Sequence, residues 1–337
     1  MKAIRLTEVH QPAALTDLPT PEAGPGTVLI RLKAAALNHR DVFVQQGLYP
    51  GMKLPVTPGS DGAGVVEAVG DGVDAQLVGQ AVVINPGLNW GNNPHFYGRD
   101  FRILGMPDDG TFAEYIAVPA QYVYPKPAHL SFTEAAALPL AALTAWRALM
   151  TRAALQPGER VLVTGIGGGA ALYALQLAVA AGAEVWVTSG SDEKLARAQS
   201  MGAKGGVNYR DANWHKTLME TTGGGKTGYF DVTIDSASGP DFAKLLDTAT
   251  PGGRIAVFGG TTGNITNVPP SKLFFKQLNI FGSTMGSDAE FAAMLAFVNQ
   301  HGLQPTVDEV FALADAEQAL RKMESGKQFG KIILATE

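Results

Sequence analysis

The stretch VLVTGIGGGA, Val161 to Ala170, has the residue types and spacing to hold a pyrophosphate. An apolar strand, Val161–Thr164, runs into a glycine-rich turn, and an apolar helix, roughly Gly168–Ala181, follows. Gly165 permits the tight turn, and Gly167, with no Cβ, lets the backbone approach phosphate oxygens closely. Gly168 and Gly169 complete the turn. Ala170 is small enough for the helix to pack on the strand. The first N–H groups of such a helix have no partner within it and face an anion. A second strand, Glu184–Thr188, arrives at the distance a dinucleotide-binding strand–turn–helix requires. Glycine-rich turns also occur without ligands, so the flanking strands and helix carry the reading.

Elements that position this turn continue on its C-terminal side. Strands are predicted at Gly206–Asn208, Phe230–Asp235, Arg254–Phe258 and Asn279–Ser283. They alternate with helices at Asp192–Met201, Trp214–Thr221, Asp241–Ala249 and Asp288–Gln300. Six strands with crossover helices make an α/β doubly wound parallel sheet. Before Tyr124 the pattern is of short strands and Gly/Pro turns, with strands at Thr27–Ala35, Gly64–Val69 and Ala81–Asn85, which suggests a barrel-like β domain. Pro86–Asp109 is rich in Trp, Tyr and Phe among Asn, Gly and Pro. It reads as a long ordered lobe, either a packed flap or a substrate lid. Pro125–Pro127 marks a domain boundary, and Ser131 with Glu134 forms a capping box for the next helix. After Gly302 a strand near Val307–Phe311, a helix at Asp315–Glu324 and a strand at Lys331–Ala335 should rejoin the first domain. The expected division is 1–124 with 303–337, and 125–302.

Composition narrows the function. The chain has 337 residues, 46% hydrophobic and 17% charged, as globular enzymes do. A net charge of −5 with no basic block argues against nucleic acid as a partner and offers no polybasic membrane patch. The uncharged run Gly165–Ala183 is as long as a membrane span, but its glycine-rich start places it inside a βαβ unit. With no cysteine, disulfides, thiol nucleophiles and thiolate zinc sites are excluded. The N-terminus reads as a strand rather than a signal peptide, and the expected location is cytoplasmic.

The chain resembles the medium-chain dehydrogenase/reductase superfamily, in particular its zinc-free quinone-oxidoreductase-like branch. The resemblance rests on NHRD at 38–41, GLY at 47–49, PGSDGAG at 58–64, GTFAEY at 110–115, LTAW at 143–146, the glycine turn and FGKII at 329–333. It implies a GroES-like β domain built from both chain ends, a central Rossmann domain, and a substrate that meets the cofactor in a cleft. In the zinc enzymes of the superfamily the metal is held by Cys, His and Cys. Those positions match Asn38, Ser60 and Leu140, which are poor zinc ligands.

Further expectations follow from the resemblance. The position of the acidic residue that reads the ribose in NAD enzymes falls on Ser189, near Ser191. Lys194 in the next helix and Tyr209 after the third strand favour a 2′-phosphate, with Arg210 in support. The expected cofactor is therefore NADP(H), although Lys194 and Arg210 could be ordinary solvated charges. The nicotinamide end should meet Thr144, Phe258, Gly259 and Phe281–Ser283. The Thr144 hydroxyl could equally bond its own helix. Without a metal nothing activates an alcohol, but hydride can still reach a quinone or an α,β-unsaturated carbonyl. Asn38 and Tyr49 match the donors for the developing oxyanion, and Phe43 gives an apolar wall. The alternatives are an enoyl-thioester reductase, an alcohol dehydrogenase of zinc type in name only, and a non-catalytic NADPH-binding protein. The apolar edge strand Asn279–Ser283 suggests a homodimer, unless Phe274, Phe275 and Phe281 pack in the core.

Overall fold

The computed structural model describes residues 1–336. The strands are β1 Lys2–Arg5, β2 Ala14–Asp17, β3 Thr27–Ala36, β4 Asp61–Val69, β5 Ala81–Ile84, β6 Gly87–Leu88, β7 Arg102–Ile103, β8 Tyr115–Pro119, β9 Val123–Pro125, β10 Arg160–Val163, β11 Glu184–Ser189, β12 Gly205–Asn208, β13 Phe230–Asp235, β14 Ala249–Val257, β15 Asn279–Gly282, β16 Val307–Ala312 and β17 Lys331–Ala335. The α-helices are α1 His39–Gln45, α2 Phe132–Ala137, α3 Pro139–Trp146, α4 Gly169–Ala180, α5 Asp192–Ser200, α6 Trp214–Thr222, α7 Phe242–Thr248, α8 Pro270–Lys276, α9 Asp288–His301 and α10 Ala316–Glu324. Two compact units result: Met1–Leu143 with Gly286–Glu337, and Thr144–Met285.

The first unit is organised by β3. Its first residues alternate, with Val28, Ile30 and Leu32 buried and their neighbours half-buried, as period-two patterning dictates. Its end, Ala34–Ala36, is buried on both faces, where small side chains are needed. The sheet runs in the order β16-β17-β3-β4-β5-β9, with β8 also paired to β3. β17 pairs antiparallel to β3, setting Ile333 opposite Ala36, so the chain's C-terminal strand does rejoin its N-terminal domain. Helix α2 starts at the expected capping box: the Glu134 carboxylate accepts from Ser131 N–H at 2.7 Å, and the Ser131 hydroxyl accepts from Glu134 N–H. In the 86–109 lobe, Trp90, Tyr97 and Phe101 pack together with ring centroids 4.7–5.9 Å apart. It is an ordered aromatic lobe pinned by the β6–β7 ladder.

The second unit is a six-stranded parallel sheet in the order β12-β11-β10-β13-β14-β15. The order reverses beside β10, the strand that enters the glycine turn, and such switch points are where α/β sheets bind ligands. Val161, Leu162 and Val163 are fully buried, as a central parallel strand covered on both faces must be. Helix α4 buries Leu172, Ala174, Leu175, Leu177 and Ala178.

Three features depart from the sequence reading. The compact units divide after Leu143 and Met285, not at 124/125 and 302/303, because α2 packs on β3, β4 and β17. Helix α9 belongs to the same unit: Phe291 packs against Tyr124 at 4.9 Å between rings, and the Asn85 amide donates to Asp288 at 2.8 Å. Helix α8 was not anticipated. Its residues Phe274 and Phe275 are 61% and 79% exposed, so they do not pack in the core.

Candidate active site and cofactor cradle

The first unit buries a polar node among apolar strands. Asn38 precedes α1, Asp61 opens β4 and Lys331 opens β17, so antiparallel pairing about β3 delivers the three side chains to one place. The Lys331 ammonium donates to Asn38 Oδ1 at 2.7 Å and to Asp61 Oδ2 at 2.9 Å. Asn38 Nδ2 donates to Asp61 Oδ2 at 2.9 Å. Asp61 Oδ1 accepts from the backbone N–H of Leu140 at 2.7 Å. All three side chains are withdrawn from water, with Asp61 completely so. A charged pair survives such burial only when its hydrogen bonds are met internally, as they are here.

A second layer holds this node. Asp41 Oδ2 accepts from Asn38 N–H at 2.8 Å, while its Oδ1 is buried with no partner among the described residues. Burial, opposed by the Arg40 charge and by the bond from Asn38, pushes the Asp41 carboxyl up to about 6. Arg40 donates to the Ser60 hydroxyl at 2.6 Å and to the carbonyls of Leu104 and Met106. Ser60 in turn donates to Leu104 O at 2.7 Å. The Arg40 guanidinium also lies over the Tyr49 ring, 4.6 Å from its centroid. The ring packs with Leu6, Val44, Val56 and Met106. Phe43 stands on the same helix as Arg40, half-buried, with its ring 6.5 Å from His39. Asn38, Phe43 and Tyr49 thus belong to one neighbourhood, joined through Arg40 and α1.

Asp61 and Lys331 were not singled out from the sequence as site residues, although both lie in quoted motifs. A lone lysine opening the apolar run Lys331–Ala335, and a lone aspartate among glycines and alanines, are signals of buried charge that needs a partner.

The second unit contains the glycine turn. Gly165 and Gly167 take φ of +65° and +129°, a region that L side chains rarely enter. Thr188 ties the turn to β11, its hydroxyl accepting from Gly165 N–H at 3.2 Å and its carbonyl from Ile166 N–H at 2.7 Å. Gly168 is the N-cap of α4, and among the described residues no side chain caps this helix start. Gly169 and Ala170 form its first turn. A Cβ on Gly167 would lie 2.8 Å from Lys194 Cδ and 3.2 Å from its Nζ, so the lysine reaches back over the turn. Tyr209 stands beside Gly190, where a Cβ would meet its hydroxyl at 2.8 Å, and it is 46% exposed. Ser191 caps α5 through Lys194 N–H. Ser189 is buried; its hydroxyl donates to Ile166 O and accepts from Ser191 N–H, both at 3.3 Å.

At the C-terminal end of the same sheet, Gly259 lies so close to Ser236 O that a Cβ would come within 2.6 Å. Phe258 is half-buried beside it, its N–H donating to Asp235 O. Arg152 lies over the Phe281 ring. The Ser283 hydroxyl is buried with no partner among the described residues. Thr144 is buried, its hydroxyl 4.0 Å from Met285 Sδ. Arg210, which follows Tyr209, donates its backbone N–H to Asn208 Oδ1.

A GroES-like sheet joined to a Rossmann sheet with this turn defines a nicotinamide-dependent oxidoreductase of two units. Residues 24–128 match the alcohol dehydrogenase GroES-like domain, and residues 165–300 match the zinc-binding dehydrogenase domain. The "zinc-type alcohol dehydrogenase-like protein YogA" of Leptosphaeria maculans is 38% identical, with 97% of this chain and 95% of that protein covered. Human quinone oxidoreductase is 30% identical, with 99% and 97% covered. The crystal structure of an NAD-dependent alcohol dehydrogenase superposes with a TM-score of 0.94 at 40% identity over the whole of both chains. The chain belongs to the medium-chain dehydrogenase/reductase superfamily, whose members bind a nicotinamide dinucleotide.

The zinc implied by one domain name does not fit the residues at hand. Asn38 Oδ1 is taken by Lys331, the Ser60 hydroxyl lies between Arg40 and Leu104 O, and Leu140 has an aliphatic side chain. Among the described residues no three His, Asp or Glu side chains form a group able to hold a metal ion. No helix among them is long and apolar enough to cross a membrane.

Proposed function

We propose that the protein is an NADPH-dependent reductase that delivers hydride to a quinone or an α,β-unsaturated carbonyl without a metal. The observation that carries this reading is the node around Asn38: an ammonium and a carboxylate already satisfy each other where zinc relatives place a ligand. A divalent ion there would meet the Lys331 charge and an amide oxygen already engaged. Alcohol oxidation then lacks the Lewis acid that lowers the alcohol's pKa. Reduction of an electrophilic acceptor needs only donors for the oxygen that gains charge. The second hydrogen of Asn38 Nδ2 and the Tyr49 hydroxyl can serve as these donors, and Phe43 offers a flat face to a planar acceptor.

When bound, the nicotinamide supplies the hydride. The residues of the second unit fit the group. The start of α4 presents unbonded N–H groups for a pyrophosphate, and the orphaned Ser283 hydroxyl offers one more bond. Lys194 over Gly167, with Tyr209 beside Gly190, supports a phosphorylated ribose. Ser189 contributes by lacking a carboxylate, since its hydroxyl is engaged with Ile166. The test is a screen of NADPH and NADH against quinones, enals, enones and alcohols, with metal content measured on the same sample. The expected result is NADPH turnover with a quinone or enone and no stoichiometric zinc. Chelator-sensitive alcohol oxidation would overturn it.

The same reading includes a homodimer through β15. This strand is the edge of its sheet, Ile280 is 40% exposed, and α8 adds the exposed Phe274 and Phe275. Light scattering at micromolar concentration should give twice the chain mass, and Ile280→Lys should halve it. A monomeric wild type would refute this part.

A further inference from the structure

The Asn38 amide has two faces of opposite chemistry, and its surroundings decide which way it points. Lys331 carries an ammonium, which only donates; Asp61 carries a carboxylate, which only accepts. Both sit within hydrogen-bonding distance of the amide, at 2.7 Å and 2.9 Å. Rotating the amide by half a turn would set NH2 against NH3⁺ and a carbonyl against a carboxylate. The ion pair itself, 2.9 Å between Lys331 Nζ and Asp61 Oδ2, is locked by Leu140 N–H on the other carboxylate oxygen. Both charges are buried, Asp61 at 0% and Lys331 at 3% exposure, so their mutual bonds are costly to lose.

We infer that Lys331 and Asp61 are positioning residues that fix the Asn38 amide with its nitrogen toward Asp61, so that its second N–H, and never its carbonyl, meets the acceptor oxygen. This inference rests on the proposed reductase reading. Lys331 acts through Asn38 in two ways. It holds the amide oxygen, and its charge draws electron density toward that oxygen, strengthening the N–H as a donor. The node therefore supplies, from protein charge alone, a fixed donor where charge develops.

A double-mutant cycle separates this role from a merely structural one. With NADPH and 1,4-benzoquinone, K331M should lower kcat about tenfold or more and leave KM for NADPH unchanged. In an N38A background the same change should alter kcat less than about twofold, since nothing remains to position. K331R, which keeps a donor and a charge, should recover most of the loss. An equal loss from K331M in both backgrounds would overturn the inference. If K331M does not accumulate folded, K331M with D61N replaces it, because that pair leaves no lone buried charge.

A readout independent of turnover tests the positioning alone. The Asn38 side-chain NH2 signals, identified by their loss in N38A, should exchange with solvent at least about tenfold faster in K331M than in wild type. Unchanged exchange in a folded K331M would overturn the inference. If the wild type reduces no quinone or enone while exchange still responds to Lys331, the positioning stands and the reaction reading fails.

Discussion

The Asn38 node and the glycine turn are both polar sites, and they are built in opposite ways. In the node the charges are buried and nearly every hydrogen bond is made within the protein: Lys331 to Asn38 and Asp61, Leu140 to Asp61, Arg40 to Ser60. At the turn the backbone is held in left-handed conformations, and among the described residues no side chain caps the start of α4 and none bonds the Ser283 hydroxyl at the same sheet end. The first arrangement is finished without a ligand and can orient one donor with accuracy. The second is left open for a ligand to complete. On the proposed reading, the open site would receive the exchangeable cofactor and the sealed one would aim an N–H at a small acceptor.

The strongest way to break this contrast is to unbalance the node. Asp61→Leu leaves the Lys331 ammonium buried and unpaired, and should cost about 3–5 kcal/mol of stability by urea denaturation. The combination of Asp61→Leu with Lys331→Met removes both charges and should recover most of that loss. A loss below about 1 kcal/mol for Asp61→Leu alone would mean that water reaches the pair and that the node is not sealed.

Asp41 sharpens the contrast from within: its Oδ1 is buried with no partner among the described residues. Its carboxyl is raised to about 6 in the folded protein, above its ordinary value of 3.8, chiefly by burial. A raised carboxyl binds its proton more tightly when folded. Its contribution to stability is therefore full below pH 3.8 and is lost as pH rises through about 6. Asn cannot titrate, so the stability of Asp41→Asn relative to wild type should improve by about 2–3 kcal/mol between pH 4 and pH 8. A difference that stays flat across that range would show that Asp41 is solvated.

Much of the architecture was legible in the sequence because it rests on local signals. The strand at β10, the turn and α4 follow from apolar runs and glycine spacing, and the boundaries agree to one residue. The capping box at Ser131 was readable for the same reason. The node was not. Its members lie at positions 38, 61 and 331, and only the antiparallel pairing of β17 and β4 with β3 brings them together. Residue type gave Asn38, through resemblance, but nothing local announces that Asp61 and Lys331 are its partners. The unit boundary differs from the expected one because the prolines at 125 and 127 mark only the end of β9, while α2 and α9 pack against β strands far away in sequence. Ser189 shows a further limit. The resemblance implies a place for it at the ribose end of β11, while the folded chain turns its hydroxyl to Ile166 O.

The smallest effect concerns the open site, and it tests whether the ligand completing it carries a 2′-phosphate. Lys194 lies over Gly167, with Nζ 3.2 Å from where a Cβ would be, so its charge sits at the mouth of the turn. Tyr209 is exposed beside Gly190, at the end of the neighbouring strand. If these two residues read a 2′-phosphate, Lys194→Ala removes one charge-assisted hydrogen bond to NADPH, worth about 1–2 kcal/mol, or about tenfold in KM. NADH has no phosphate at that position, so its KM should change by less than about threefold. The effect on kcat should be small for both, because the contact is remote from the reacting carbon and is the same in ground and transition states. Ser189→Asp should weaken NADPH by a similar factor through repulsion, its carboxylate standing at the end of β11 next to Gly190. Steady-state kinetics with both cofactors decides the matter. An equal loss for NADPH and NADH in Lys194→Ala would mean that the lysine serves the pyrophosphate common to both, and the preference for NADPH would lose its basis.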